Sequence, residues 1–186
     1  MSRILVLVGA GLLITAAFLR TWASSYLRAE VVYATGVRTE SLVADGPYRH
    51  VRNPLYLGNV LIAAGLGVMM NRIGFPVAVL ATVAFCYRLI LREEAELSVA
   101  QGKSYQAYRH AVPRLWPSPW LRIPSAAGIP KWAEGFKAES WCWGFAASVL
   151  AFAATSSLAL FYAILGASVV WLWVSSANGG RIGDAN

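Results

Sequence analysis

Two polar stretches hold most of the side chains with which this sequence could do chemistry. The first runs Asp45-Gly46-Pro47-Tyr48-Arg49-His50-Val51-Arg52-Asn53-Pro54-Leu55-Tyr56-Leu57-Gly58 and crowds two arginines, a histidine and two tyrosines into one short segment. The second is Arg92-Glu93-Glu94-Ala95-Glu96, with Arg88 one turn before it. Adjacent carboxylates repel each other and resist burial, so a positive group should face at least one of Glu93 and Glu94. Asn53-Pro54 also has a plain structural reading as the N-cap and first residue of a helix. That reading leaves the arginines, His50, Tyr48 and Tyr56 unexplained. Brought together, the two stretches would form a pocket of guanidinium groups, carboxylates and phenol rings, suited to a small zwitterion with an aromatic base and a positive centre. A third stretch, residues 102–114, offers Tyr105, Tyr108 and Arg109 to close the pocket, or reads simply as an interfacial amphipathic helix. No metal centre is expected, because Cys86 and Cys142 lie in separate apolar segments without partners at ligand spacing.

Apolar segments must position these stretches. Residues 4–19, 55–70 and 73–91 are each close to the roughly 20 residues that cross a bilayer. Residues 141–176 are long enough for two short spans turning near Thr155, Ser156 and Ser157. The sequence therefore predicts an all-α, multi-span integral membrane helical bundle of about five transmembrane helices, a single membrane domain over residues 1–186. Only Asn71 and Arg72 separate the second and third runs. That forces a tight antiparallel hairpin and carries both polar stretches to the same membrane face. The composition agrees: 58% of the 186 residues are hydrophobic and 13% charged, against about 25% charged in soluble domains. A 20.1 kDa globule cannot bury that excess, and so aromatic a chain does not stay disordered.

The charge pattern sets the orientation. Of the 16 basic residues, 12 fall in loops 20–54 and 92–140, and the positive-inside tendency makes that face cytoplasmic. The N-terminus is then outside and the C-terminus inside, in what is expected to be a bacterial inner membrane. Anionic lipid headgroups account for the net charge of +7 better than nucleic acid does, so membrane lipids are expected partners and nucleic acid is not. Arg3, the apolar run after it and Ala23-Ser24-Ser25 loosely imitate a secretory signal, but Arg20 intrudes before the cleavage site. Residues 113–130, rich in proline, read as a linker along the membrane surface.

The run LVADGPYRHVRNPLYLG, then REEAEL after a helical hairpin, then G-x-x-Y-x-x-Y-x-x-x-V-P-R, resembles the isoprenylcysteine carboxyl methyltransferase family and the related phospholipid methyltransferases. The resemblance covers residues 42–117, the expected methyltransferase core, and leaves the C-terminal helical pair at 141–176 without an assigned role. It implies a membrane enzyme that uses S-adenosyl-L-methionine on a lipid or isoprenoid-type acceptor, whose methylated group would be a carboxylate, thiol or amine. The family's Arg-His-Pro-x-Tyr motif falls on Arg52, Asn53, Pro54, Leu55 and Tyr56, with Asn53 replacing the usual histidine, and its paired glutamates fall on Glu93 and Glu94. By this resemblance Leu42, Val43, Tyr48, Asn53, Pro54, Leu55, Tyr56, Glu93 and Glu94 bind the cofactor. Glu93, Arg52 and Arg88 are the catalytic candidates; an arginine that serves the substrate in eukaryotic members falls here on Leu89, with Arg88 beside it. The first glutamate of the pair is expected to matter most and Glu94 less. Membrane reductases of similar helical arrangement that use NADPH, and a non-catalytic membrane accessory protein, are the competing readings.

Overall fold

A computed structural model of the chain describes residues 3–33 and 44–183. Six α-helices account for most of them, and there is no strand among the described residues: α1 (Arg3–Tyr33), α2 (Pro54–Gly67), α3 (Gly74–Ala111), α4 (Trp132–Ala138), α5 (Ser140–Thr155) and α6 (Leu158–Gly183). A 3₁₀ turn, Gly46–Arg49, precedes α2. The helix α1 runs well past the apolar segment that defines its first half. Residues 20–33 contain neither glycine nor proline, so nothing interrupts the backbone ladder where the loop was expected to begin.

Helices α2 and α3 pack against each other across the short connection at 68–73. Asn71 makes the turn: its Oδ1 accepts the backbone N–H groups of Ile73 at 3.1 Å and Gly74 at 2.6 Å, satisfying donors at the start of α3. Gly102 interrupts α3 at φ 54° and ψ −124°, a conformation that costs a residue with a Cβ far more than it costs glycine. The chain is thereby redirected, and Tyr105 and Tyr108 turn back to become buried. The turn between α5 and α6 falls at Ser156 and Ser157, where the sequence indicates it.

The core lies where α1 meets α5. Val6, Ala10 and Leu13 interlock with Ala146, Val149 and Ala153, flanked by Ile62 and Leu66 of α2 and by Met69 of the connection after it. Small residues set the spacing: a Cβ on Gly9 would stand 2.6 Å from the carbonyl oxygen of Gly65, so the α1 and α2 backbones nearly touch. Among the described residues two helices, α1 through Leu27 and α3, are long and apolar enough to cross a membrane. Three further apolar segments, Pro54–Gly67, Ser140–Thr155 and Leu158–Trp171, are shorter. The outer face of α3 exposes Val77, Leu80 and Phe85, an apolar surface of the kind that meets lipid or a partner.

Candidate functional site

A cavity of about 460 Å³ opens between α1, the 3₁₀ turn, α2 and α3. Its size lies within the roughly 300–1,000 Å³ typical of small-molecule sites. The two polar stretches meet in it: Tyr48, Arg52, Asn53, Pro54, Leu55 and Tyr56 from the first, Glu93 and Glu94 from the second. The tyrosines of the third stretch, Tyr105 and Tyr108, also line it, whereas Arg109 is exposed. Arg88 is exposed on α3 and does not line the cavity. Leu42 and Val43 lie outside the described residues.

The paired glutamates point in different directions, as neighbours about 100° apart on a helix must. Glu93 meets α2, where the Tyr56 hydroxyl donates to its Oε1. Glu94 is 4% exposed and faces the interior. It accepts from Arg52 Nη1 at 2.7 Å and from Arg114 Nη2 at 2.8 Å, while Arg114 Nη1 donates to the Tyr87 hydroxyl at 2.7 Å. The hydrogen bonds from Arg114 to Glu94 outweigh desolvation and hold that guanidinium still more firmly protonated. Glu96 is exposed and pairs only with Arg92. Two arginines thus converge on one buried carboxylate, and among the described residues Glu93 has no cationic partner. Two atoms of cavity-lining residues, Arg52 Nε and Gln101 Oε1, are themselves shielded from the cavity and buried without a hydrogen-bond partner, an arrangement proteins generally avoid.

The proline-rich segment is bonded to the site along its length. Arg52 N–H donates to the Pro113 carbonyl at 2.8 Å, Ser118 N–H to the His50 carbonyl at 2.9 Å, and His50 Nδ1 to the Ser118 carbonyl at 2.8 Å. Arg49 Nε reaches the Ile123 carbonyl at 3.0 Å. Asn53 belongs to this set: its side chain caps no helix, and its Nδ2 donates to the Arg114 carbonyl at 3.1 Å. The Tyr108 hydroxyl closes the inner side by donating to the Tyr48 carbonyl at 2.9 Å. What the sequence presents as a linker is a strap that fixes the segment from Tyr48 to Asn53.

Asp45 anchors the far end of the strap. Its carboxylate accepts from the Ser125 hydroxyl at 2.7 Å and from the N–H groups of Ala126 at 3.1 Å and Gly128 at 2.8 Å. Burial alone would raise its pKa, but these bonds and the nearby Arg49 charge prevail and hold it below the usual aspartate value. The anchorage is therefore complete above the unfolded-state pKa, near 4, and is lost as pH falls through the lower folded value. Asp45→Asn is expected to cost about 1–3 kcal/mol and to expose residues 124–130 to limited proteolysis at neutral pH. Wild-type protein should show the same cleavage only in strong acid, and an uncleaved Asp45→Asn strap would contradict the anchor.

Sequence reasoning passed over Arg20, Leu27, Asn59, Leu97 and Gln101, all of which line the cavity. Helical spacing carries a signal for three of them. Leu97 and Gln101 follow Glu93 at steps of four along α3, and Asn59 follows Tyr56 by three on α2.

Among the described residues, no group of three His, Cys, Asp and Glu side chains is placed to hold a metal ion. Two curated relatives are similar to this chain. The cobalt-zinc-cadmium resistance protein CzcN of Cupriavidus metallidurans is 28% identical over 86 residues, 46% of this chain and 40% of that protein. The nickel-cobalt-cadmium resistance protein NccN of Alcaligenes xylosoxydans xylosoxydans is 29% identical over 86 residues, with the same shares covered. The chain spans about two fifths of the length of these curated relatives. No solved structure matches it. The model of one family, phospholipid methyltransferase, matches residues 4–103. That stretch is more than half of the chain and contains all of the cavity-lining residues except Tyr105 and Tyr108, and by it this protein belongs to the phospholipid methyltransferase family.

Proposed function

We propose that the protein is an S-adenosyl-L-methionine-dependent methyltransferase acting on a lipid or isoprenoid-type acceptor at the cytoplasmic face of the membrane. The observation that carries this reading is the unbalanced charge of the cavity. Glu93 offers a carboxylate with no cationic partner among the described residues, and Arg52 of the cavity wall shares the single carboxylate of Glu94 with Arg114, which stands outside the lining. A ligand bearing both a positive centre and a carboxylate is complementary to both imbalances. The rings of Tyr48, Tyr56, Tyr105 and Tyr108 provide aromatic surface for a purine.

When bound, the cofactor supplies a methyl group on a sulfonium, an electrophile already activated. The protein's task is to position and to exclude water. Glu93 would offset the positive centre, Tyr56 would hold the Glu93 carboxylate in place, and Arg52 would meet the opposite charge. A carboxylate or thiolate acceptor needs no strong base, whereas an amine acceptor must lose a proton, for which Glu93 is the placed candidate. The relatives' names concern metal resistance, which does not bear on the identity of the acceptor here.

Isothermal titration of the purified full-length protein in lipid nanodiscs tests the reading. Saturable uptake of S-adenosylmethionine is expected, together with a mass gain of one methylene on a component of lipid extracts. Uptake of NADPH in its place would support the reductase reading, and uptake of neither would support a non-catalytic protein. The five-span topology belongs to the same proposal and predicts opposite sides for the ends of α3. From Gly74 to Gln101 the helix rises about 42 Å, more than the roughly 30 Å hydrocarbon core. Cysteines replacing the exposed Arg72 and Lys103 should therefore label from opposite faces, with Lys103→Cys on the cytoplasmic side. Labelling of both from one side would break the hairpin.

A further inference from the structure

The helices beyond the family match contribute no residue to the cavity wall, yet Glu139, at the junction of α4 and α5, grips one that belongs to it. Arg20 of α1 lines the cavity. Its Nε donates to Glu139 Oε2 at 2.7 Å and its Nη2 to Glu139 Oε1 at 3.2 Å. Its Nη1 donates to the Leu55 carbonyl at 3.0 Å and to Asn59 Oδ1 at 2.6 Å. Four of the five guanidinium donors are thereby engaged. The ring of Trp141 stacks on the guanidinium at 5.1 Å. Glu139 is itself fixed, since it is 4% exposed and also accepts from Ser24 Oγ at 2.7 Å.

Close packing makes this reach possible. A Cβ on Gly135 would stand 2.6 Å from the Thr21 carbonyl oxygen, so α4 lies directly on α1 one turn before Glu139. On the opposite side a Cβ on Gly58 would stand 2.4 Å from Arg20 Cγ, and the bare α2 backbone leaves the arginine stem its track. Without Glu139 the guanidinium would either withdraw toward water or remain as an uncompensated cation in the wall. A ligand with a positive centre is disfavoured by the second outcome and loses a wall contact by the first.

We propose that Glu139 is a positioning residue that fixes and neutralises Arg20, so that the C-terminal helices set the affinity of the cavity for its ligand without touching it. This rests on the reading of the cavity as the S-adenosylmethionine site. Two readouts on the full-length protein in nanodiscs separate the two claims: titration with S-adenosylmethionine, and the rate of phenylglyoxal modification of Arg20 without cofactor, read by peptide mass spectrometry. Glu139→Gln is expected to weaken binding about tenfold, the scale of one lost charge-assisted interaction, and to accelerate modification of Arg20. Glu139→Asp should recover most of the affinity. In an Arg20→Met background the further change Glu139→Gln should shift affinity by less than about twofold, because the effect passes through the arginine. If Glu139→Gln fails to fold, Ser24→Ala, which removes one bond from the carboxylate, should move both readouts in the same direction by less. Wild-type affinity in Glu139→Gln, or an equal loss with and without Arg20, would overturn the proposal and leave Glu139 a packing residue. Should the wild-type protein bind no S-adenosylmethionine, the methyl-donor reading fails. The modification rate then decides for the tether: faster in Glu139→Gln upholds it, unchanged overturns it.

Discussion

Glu94→Ala is expected to lower stability by about 3–5 kcal/mol, the penalty for leaving buried charge without its counter-ion. The carboxylate is 4% exposed and joins Arg52, from the turn before α2, to Arg114, at the head of the strap. Removing it strands two guanidinium groups and unties three chain segments at once. Glu96→Ala serves as the control, because its pair with Arg92 is solvent-exposed and worth little. Thermal unfolding in detergent should show a large drop in midpoint for Glu94→Ala and a negligible one for Glu96→Ala. Equal midpoints for the two variants would refute the junction. The sequence alone makes Glu94 the less sensitive of the pair; its placement makes it the more sensitive for folding.

Glu93→Gln should act on binding instead. The substitution preserves shape and removes the charge left uncompensated at the cavity, so S-adenosylmethionine affinity is expected to fall by about ten- to a hundredfold, the range of a charged hydrogen bond. Stability should hardly change, since Glu93 is exposed and its bond is to Tyr56 on a neighbouring helix. Tyr56→Phe, which removes only the hydroxyl, should cost less than Glu93→Gln. Unaltered affinity in Glu93→Gln would end its assignment as the cofactor carboxylate, and a parallel loss of melting temperature would make it a structural residue like Glu94.

The helical character, the turn at Ser156 and the meeting of the two polar stretches were legible because each rests on local signals: apolar runs, a cluster of hydroxyl residues, a two-residue break at Asn71. Tyr105 and Tyr108 were legible as candidates by their side-chain type and spacing. The strap was not, because hydrogen bonds such as His50 to Ser118 or Asp45 to Gly128 join residues far apart in sequence through backbone groups that every residue carries. Asn53 shows how a local rule loses to tertiary structure. It stands where a cap belongs, yet its amide goes to the Arg114 carbonyl. Arg20 reads as the first basic residue of a loop until Glu139 is seen beside it, more than a hundred residues along the chain.

The strap also imposes an order on biosynthesis. Chains emerge from the ribosome N-terminus first, at about 5–20 residues per second. Helices α1, α2 and most of α3 are therefore complete while Arg114, Ser118 and Gly128 are still unmade. During that interval Asp45 lacks the donors from 125–128 that later hold it. A chain ending before the strap thus leaves unanchored the Asp45 and Glu94 carboxylates that the finished protein conceals.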